Sequence, residues 1–286
     1  MHGKMCLVTG ATSGIGRATA RGLAERGATV VIVARDEARA QSTVGEITRQ
    51  TGNRAVHYLL ADLSSQEQVR RVAGQYIAQY GQLHVLVNNA GAMFWRRRET
   101  VDGLEWTFAL NHLAPFLLTN LLLDSLRASA PARVVTVASA AHQGTTIPFD
   151  DLQQVRHRYR ALRVYGQSKL ATILFTYELA RRMEGSGVTA NALHPGFVAT
   201  TFGSGGSRLM AYAVPVIRPF FIGPEQGAQT SVYLATAPEV EGVTGKYFIK
   251  RAPARSSPVS YDQTAAQRLW QTSAELTGLS DSTSRR

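Results

Sequence analysis

The stretch Thr9-Gly10-Ala11-Thr12-Ser13-Gly14-Ile15-Gly16 decides the fold. It lies between an apolar run at 5–9, which reads as a buried strand, and an amphipathic run at 14–26, which reads as a helix. Glycines at such a junction permit a tight turn and let a ligand approach the backbone closely. The helix behind them offers unpaired N–H groups and the positive end of its dipole, a match for a pyrophosphate. A glycine-rich turn alone is weak; the strand–turn–helix context is what a dinucleotide site requires. Gly10, Thr12, Ser13, Gly14, Ile15 and Gly16 are therefore candidate cofactor contacts. Their spacing, with three residues between the first two glycines, departs from Gly-x-Gly-x-x-Gly.

Working outward, strand-like runs at 29–34, 55–61, 83–87, 133–138, 188–193 and 246–249 alternate with helical runs at 36–50, 66–80, 103–127, 165–183 and 225–235. Near-continuous apolar strands separated by amphipathic helices indicate a parallel sheet covered on both faces. Right-handed crossovers then give a doubly wound α/β fold of Rossmann type, with a mostly parallel seven-stranded sheet. One domain is expected over 1–250. A C-terminal extension follows over 251–286, with a helix at 262–276 and a frayed end.

Composition narrows the function classes. The 286 residues are 44% hydrophobic and 18% charged, as in ordinary globular proteins. The one cysteine, Cys6, leaves no internal disulfide and fits a reducing cytoplasm. No leader is read, because Met1-His2-Gly3-Lys4 runs straight into the first strand. No membrane span is read either: the run at 113–123 is too short, and that at 209–222 contains Pro215, Arg218 and Pro219. The net charge of +11 invites a nucleic-acid reading. Its arginines are scattered over helix faces instead of forming a DNA-binding motif, and no nucleic-acid partner is expected. Arg96-Arg97-Arg98 is the densest basic cluster, on a solvated or phosphate-facing loop.

The residues suited to chemistry fall at the carboxyl ends of strands, where open α/β sheets bind ligands. Arg35 follows the second strand, where an arginine can hold a 2′-phosphate and an acidic residue would pair with a bare ribose diol. NADP(H) is thus favoured over NAD(H), with Asp36 read as a helix cap. Asp62-Leu63 closes the third strand and Asn88-Asn89-Ala90-Gly91 the fourth; each also reads as an ordinary turn. Ser139 closes the fifth. Tyr165 and Lys169, four apart in a helical run, share a helix face. A cation beside a phenol favours the phenolate, so the expectation is a Tyr165 pKa below the usual value of about 10. A solvated surface pair is the plainer reading of those two residues taken alone. Pro115 has no N–H, so the carbonyl of Asn111 loses its helical donor, and a kink is expected there.

With these motifs in order, the chain resembles the short-chain dehydrogenase/reductase family over roughly 4–248. Asn111-His112-Leu113, the run 165–171, His194-Pro195-Gly196 and Gly227-Ala228-Gln229-Thr230-Ser231 resemble its retinol dehydrogenase branch. The resemblance implies a catalytic tetrad of Asn111, Ser139, Tyr165 and Lys169. In it Tyr165 exchanges a proton with the substrate oxygen, Ser139 polarises that oxygen and Asn111 holds a water. Lys169 holds the nicotinamide ribose and depresses the Tyr165 pKa. It also implies that Asn89, Ala90, Gly91, Pro195, Gly196, Val198 and Thr200 contact the cofactor, and that His112 and His194 are structural.

A glycine-rich, then apolar stretch at 202–223 reads as a substrate lid. Met93, Phe94 and Trp95 are candidates for the opposite wall, and 143–158 for a cover over the mouth or an oligomer face. The function expected is an NADP(H)-dependent carbonyl reductase or alcohol dehydrogenase acting on a bulky apolar aldehyde, ketone or alcohol. A homo-oligomer is left open, and no metal is expected. The alternative is a catalytically idle NADP(H)-sensing or scaffold protein on the same fold.

Overall fold

The computed structural model describes residues 1–196 and 222–279. Eight strands form one sheet: β1 Met5–Thr9, β2 Thr29–Ala34, β3 Val56–Leu60, β4 Val85–Asn88, β5 Ala132–Val137, β6 Val188–His194, β7 Tyr247–Ile249 and β8 Ala252–Ala254. Their order is β3-β2-β1-β4-β5-β6-β7-β8. The first seven run parallel and β8 pairs antiparallel with β7. The order reverses direction beside β1, and there the carboxyl ends of β1 and β4 part to form the crevice of a doubly wound sheet.

The eighth strand corrects the expected seven. It is joined to β7 through Lys250 and Arg251, both at positive φ (50° and 66°). Two successive left-handed residues make the tight turn of a two-residue hairpin, which sequences usually mark with Asn-Gly. Lys-Arg carries no such mark. Pro253 is admissible because this strand lies at the sheet edge.

Both faces of the sheet are dry. On β1, Leu7 points into one core, with Tyr76, Phe116, Leu117, Phe175 and Trp270. Cys6 and Val8 point into the other, with Leu23, Ile47 and Leu234. That alternation explains why the strands read as unbroken apolar runs. The helices are α1 Gly14–Ala24, α2 Glu37–Thr51, α3 Gln66–Tyr80, α4 Trp106–Phe108, α5 Ala114–Leu121, α6 Leu123–Ala128, α7 Ala161–Arg182, α8 Pro224–Thr236 and α9 Gln263–Thr277. Asp36 caps α2 by accepting from the Arg39 N–H at 2.8 Å, as its position suggested.

The single helix expected over 103–127 is broken. A π-helical segment, Ala109–Leu113, joins α4 to α5, and Leu122 separates α5 from α6. Pro115 explains the wide turn, because the Asn111 carbonyl has no N–H four residues on. That carbonyl accepts instead from Thr172 Oγ1 of α7 at 3.1 Å. His112, fully buried, sits within 2.7 Å of Ser273 Oγ and ties the π segment to α9. Among the described residues no helix is long and apolar enough to cross a membrane.

Candidate active site

The glycine turn packs against the end of β4. Gly10 has φ 64°, and a Cβ there would lie 2.8 Å from Ala90 Cα. A Cβ on Gly16 would overlap the Gly10 carbonyl oxygen and Asn89 Nδ2. Asn89 Nδ2 donates to the carbonyls of Thr9 (2.9 Å) and Gly10 (3.1 Å). Thr9 Oγ1 accepts the N–H groups of Asn89 and Ala90, each at 3.0 Å. The turn is therefore held from beneath and open above. Ser13 stands at the N-cap of α1 but its side chain makes no capping hydrogen bond, so the first amides of that helix are left without a side-chain cap, and the Arg17 N–H is the first to bond back, to the Ser13 carbonyl.

Arg35 is exposed directly after β2, with no partner among the described residues. Asp62 is turned inward: its Oδ1 accepts from Ser64 N–H and Oγ, and the adjoining Leu63 is buried. These positions ring the same sheet edge as the glycine turn. A cradle that a single Cβ would fill, an uncapped helix N-terminus and an unpaired guanidinium fit a phosphorylated dinucleotide.

Around β5 and α7 the second cluster forms. Asn111 grips the loop after β4 at two points: its Oδ1 accepts the Ala92 N–H at 2.8 Å, and its Nδ2 donates to the Ala92 carbonyl at 2.9 Å. Nδ2 also reaches Ser168 Oγ at 2.9 Å. A Cβ on Gly91 would lie 3.1 Å from Asn111 Oδ1 and 3.4 Å from Lys169 Nζ, so these three residues share one corner. Lys169 is buried; its Nζ donates to the Val137 carbonyl at 2.8 Å and lies 5.8 Å from the centre of the Tyr165 ring. The Tyr165 hydroxyl hydrogen-bonds the Ser139 side chain. Gly166 lets α7 approach the Ala141 carbonyl, which a Cβ would strike.

The electrostatics differ from expectation. Burial pushes the Tyr165 phenol up to about 12, with the Ser139 hydrogen bond pulling it down. Burial likewise brings Lys169 down to about 8. The expected depression of the phenol by its lysine is thus reversed, because desolvation of both groups outweighs a cation 5.8 Å from the ring.

Of the remaining predicted positions, Pro195 and Gly196 follow β6 on the same edge, with Gly196 at φ 93° against the Ile222 side chain. Val198, Thr200 and nearly all of 202–223 lie outside the described residues. Phe94 stacks on Trp106, ring centres 4.9 Å apart. In the basic cluster Arg97 pairs with Glu99 at 2.7 Å and donates to the Gln153 carbonyl. The 143–158 segment is irregular and is organised by buried Asp151, which accepts from the backbone of Val155 and Arg156.

Sequence reasoning missed Thr9, Ser168 and Thr172. Thr9 and Ser168 sit inside stretches already singled out, so their presence was visible and their bonds were not.

This crevice, with its glycine turn, its Ser139–Tyr165 contact and its buried Lys169, defines a short-chain dehydrogenase/reductase. The family described as short chain dehydrogenase matches residues 4–207, and the chain belongs to it. Within that family of oxidoreductases its similarity lies with the retinol dehydrogenase branch. It is 44% identical over 277 residues to Retinol dehydrogenase 12 of Mus musculus, covering 97% of this chain and 87% of that protein. Among solved structures, an uncharacterized protein from Mycobacterium paratuberculosis superposes with TM-score 0.78 at 34% identity, covering 97% of this chain and 94% of the other. The RhlG/NADP active-site complex of Pseudomonas aeruginosa superposes at 0.69 with 29% identity, covering 87% and 94%.

Proposed function

We propose that this chain is an NADP(H)-dependent reductase of bulky apolar aldehydes and ketones, or the dehydrogenase of the matching alcohols, acting in a reducing cytoplasm. The observation that carries the reading is the Tyr165 hydroxyl bonded to Ser139, with Lys169 and Asn111 beside the same crevice as the glycine turn. The cofactor, when bound, supplies or accepts the hydride. Gly10 through Gly16 and the α1 N-terminus hold its pyrophosphate. Arg35 holds a 2′-phosphate, Asp62 and Leu63 border the adenine side, and Asn89, Ala90, Gly91, Pro195, Gly196, Val198 and Thr200 border the rest. The NADP in the Pseudomonas aeruginosa complex supports the choice of cofactor.

Ser139 and Tyr165 bind the substrate oxygen from two sides. A phenol pushed up to about 12 keeps its proton at neutral pH, so Tyr165 is set to donate it to the oxygen of a carbonyl undergoing reduction. Lys169 holds the nicotinamide ribose and restores the phenol's proton. Asn111 fixes the loop carrying Gly91 and Ala92 against α7, which keeps Lys169 in register. The name of the mouse relative supports a large apolar substrate such as retinaldehyde.

The test follows NADPH absorbance with all-trans-retinal and a panel of bulky ketones. Tyr165→Phe should lower turnover by at least about 100-fold while leaving NADPH binding within about twofold. Turnover equal to the parent's would remove Tyr165 from the chemistry and the proposal with it.

A further inference from the structure

The turn after β5 carries Ser139, and its second anchor lies far along the chain. Residues Ala140–His142 form a single 3₁₀ turn whose N-cap is Ser139 itself. His142 is fully buried. Its Nδ1 lies 2.6 Å from the Ser139 carbonyl oxygen, and its Nε2 lies 3.0 Å from the Ser257 backbone N–H. A carbonyl only accepts and an amide N–H only donates, so both contacts are satisfied by one form alone: neutral, with the proton on Nδ1. The ring packs edge-on against Tyr247 of β7, centres 5.3 Å apart. On the other side of the turn, His194 Nδ1 accepts the Ala140 N–H at 3.3 Å.

Building on the function proposed above, we propose that His142 is a positioning residue: through its Nδ1–H it holds the backbone of Ser139, and through Nε2 it takes its own orientation from the segment that follows β8. The substrate-facing hydroxyl is attached to the same residue whose carbonyl is held, so a shift of the carbonyl moves the hydroxyl away from Tyr165. The C-terminal segment around Ser257 thereby becomes part of the machinery that aims Ser139, although it lies 115 residues from His142 in sequence.

Two near-isosteric substitutions separate positioning from packing. In His142→Asn the side-chain NH₂ falls where Nδ1 stands and keeps the donor to Ser139. In His142→Gln the amide reaches the Nε2 position, keeps the contact to Ser257 and removes the side-chain donor to Ser139, whose carbonyl then retains the longer 3.3 Å contact from the backbone N–H of residue 142. With NADPH and the fastest carbonyl of the panel above, His142→Gln should lower kcat on the order of 10- to 100-fold, with KM and NADPH affinity within about threefold. His142→Asn should stay within about threefold of the parent. Equal effects of the two variants on kcat, or none, would overturn the proposal. Nitrogen-15 NMR of the parent protein checks it without any variant: the His142 ring must show protonated Nδ1 and bare Nε2, and the opposite tautomer overturns it. Unchanged turnover in Ser139→Ala would mark a different failure, that of the serine's own role.

Discussion

Lys169 is a buried ammonium whose acceptor among the described residues is the Val137 carbonyl. Burial alone brings it from 10.5 to about 8. One unit corresponds to about 1.4 kcal/mol, so the folded state carries a penalty of about 3 kcal/mol while the lysine is charged. Because the folded pKa lies below the unfolded one, that penalty is fully present below about pH 8. It is relieved as pH rises toward 10.5, since over this window the unfolded chain binds the extra proton. Between about pH 7 and about pH 9.5 the relief amounts to about 2 kcal/mol. Lys169→Met keeps the length of the side chain and removes the titration. Urea unfolding of both proteins across that range isolates the term, because every other titrating group cancels in the difference. Relative to the variant, the parent should gain about 2 kcal/mol with rising pH, while the variant loses turnover throughout. A difference that stays flat within about 0.5 kcal/mol would refute the desolvation argument. A parent that loses ground as pH rises would show the ammonium to be stabilised by its surroundings.

Three further outcomes follow from the site and the core. Gly16→Ala forces a methyl into the Gly10 carbonyl and Asn89 Nδ2, so the turn must shift to admit it. NADPH titration by fluorescence should show affinity weakened at least about tenfold, and a dissociation constant unchanged in a stably folded variant would mean that the turn does not seat the pyrophosphate. Arg35→Ala should weaken NADPH by about 10- to 100-fold and NADH by less than about threefold; equal losses would show that Arg35 does not read the phosphate. Trp270 of α9 packs edge-on against Phe116 at 5.0 Å and under the Arg182 guanidinium at 4.3 Å. Trp270→Ala should cost about 3–5 kcal/mol in denaturant unfolding, and a loss below about 1 kcal/mol would remove α9 from the core.

The glycine turn, the parallel strands and the capping Asp36 were legible because each is a local signal. A strand buried on both faces must be apolar throughout, and a helix start leaves its mark within a few residues. Ser139, Tyr165 and Lys169 were singled out through their order, Ser139 by its place after β5 and the other two by their four-residue spacing on one helix. The eighth strand was not, since Lys250-Arg251 takes a left-handed turn without the usual residues. The π segment was half legible: Pro115 announced a disturbed Asn111, while the Thr172 hydroxyl that takes up its carbonyl belongs to another helix 61 residues away.

The amino-acid sequence alone determined the layered architecture, the glycine turn behind β1 and the identity of the side chains proposed for the chemistry, because hydrophobic period and glycine placement act over neighbouring residues. The direction of the Tyr165 and Lys169 shifts, the two-point grip of Asn111 on Ala92 and the bond from Ser257 to His142 were decided only when the chain closed on itself. A pKa depends on the water removed from around a group, and a hydrogen bond on which distant backbone arrives opposite it; both are properties of the packed molecule.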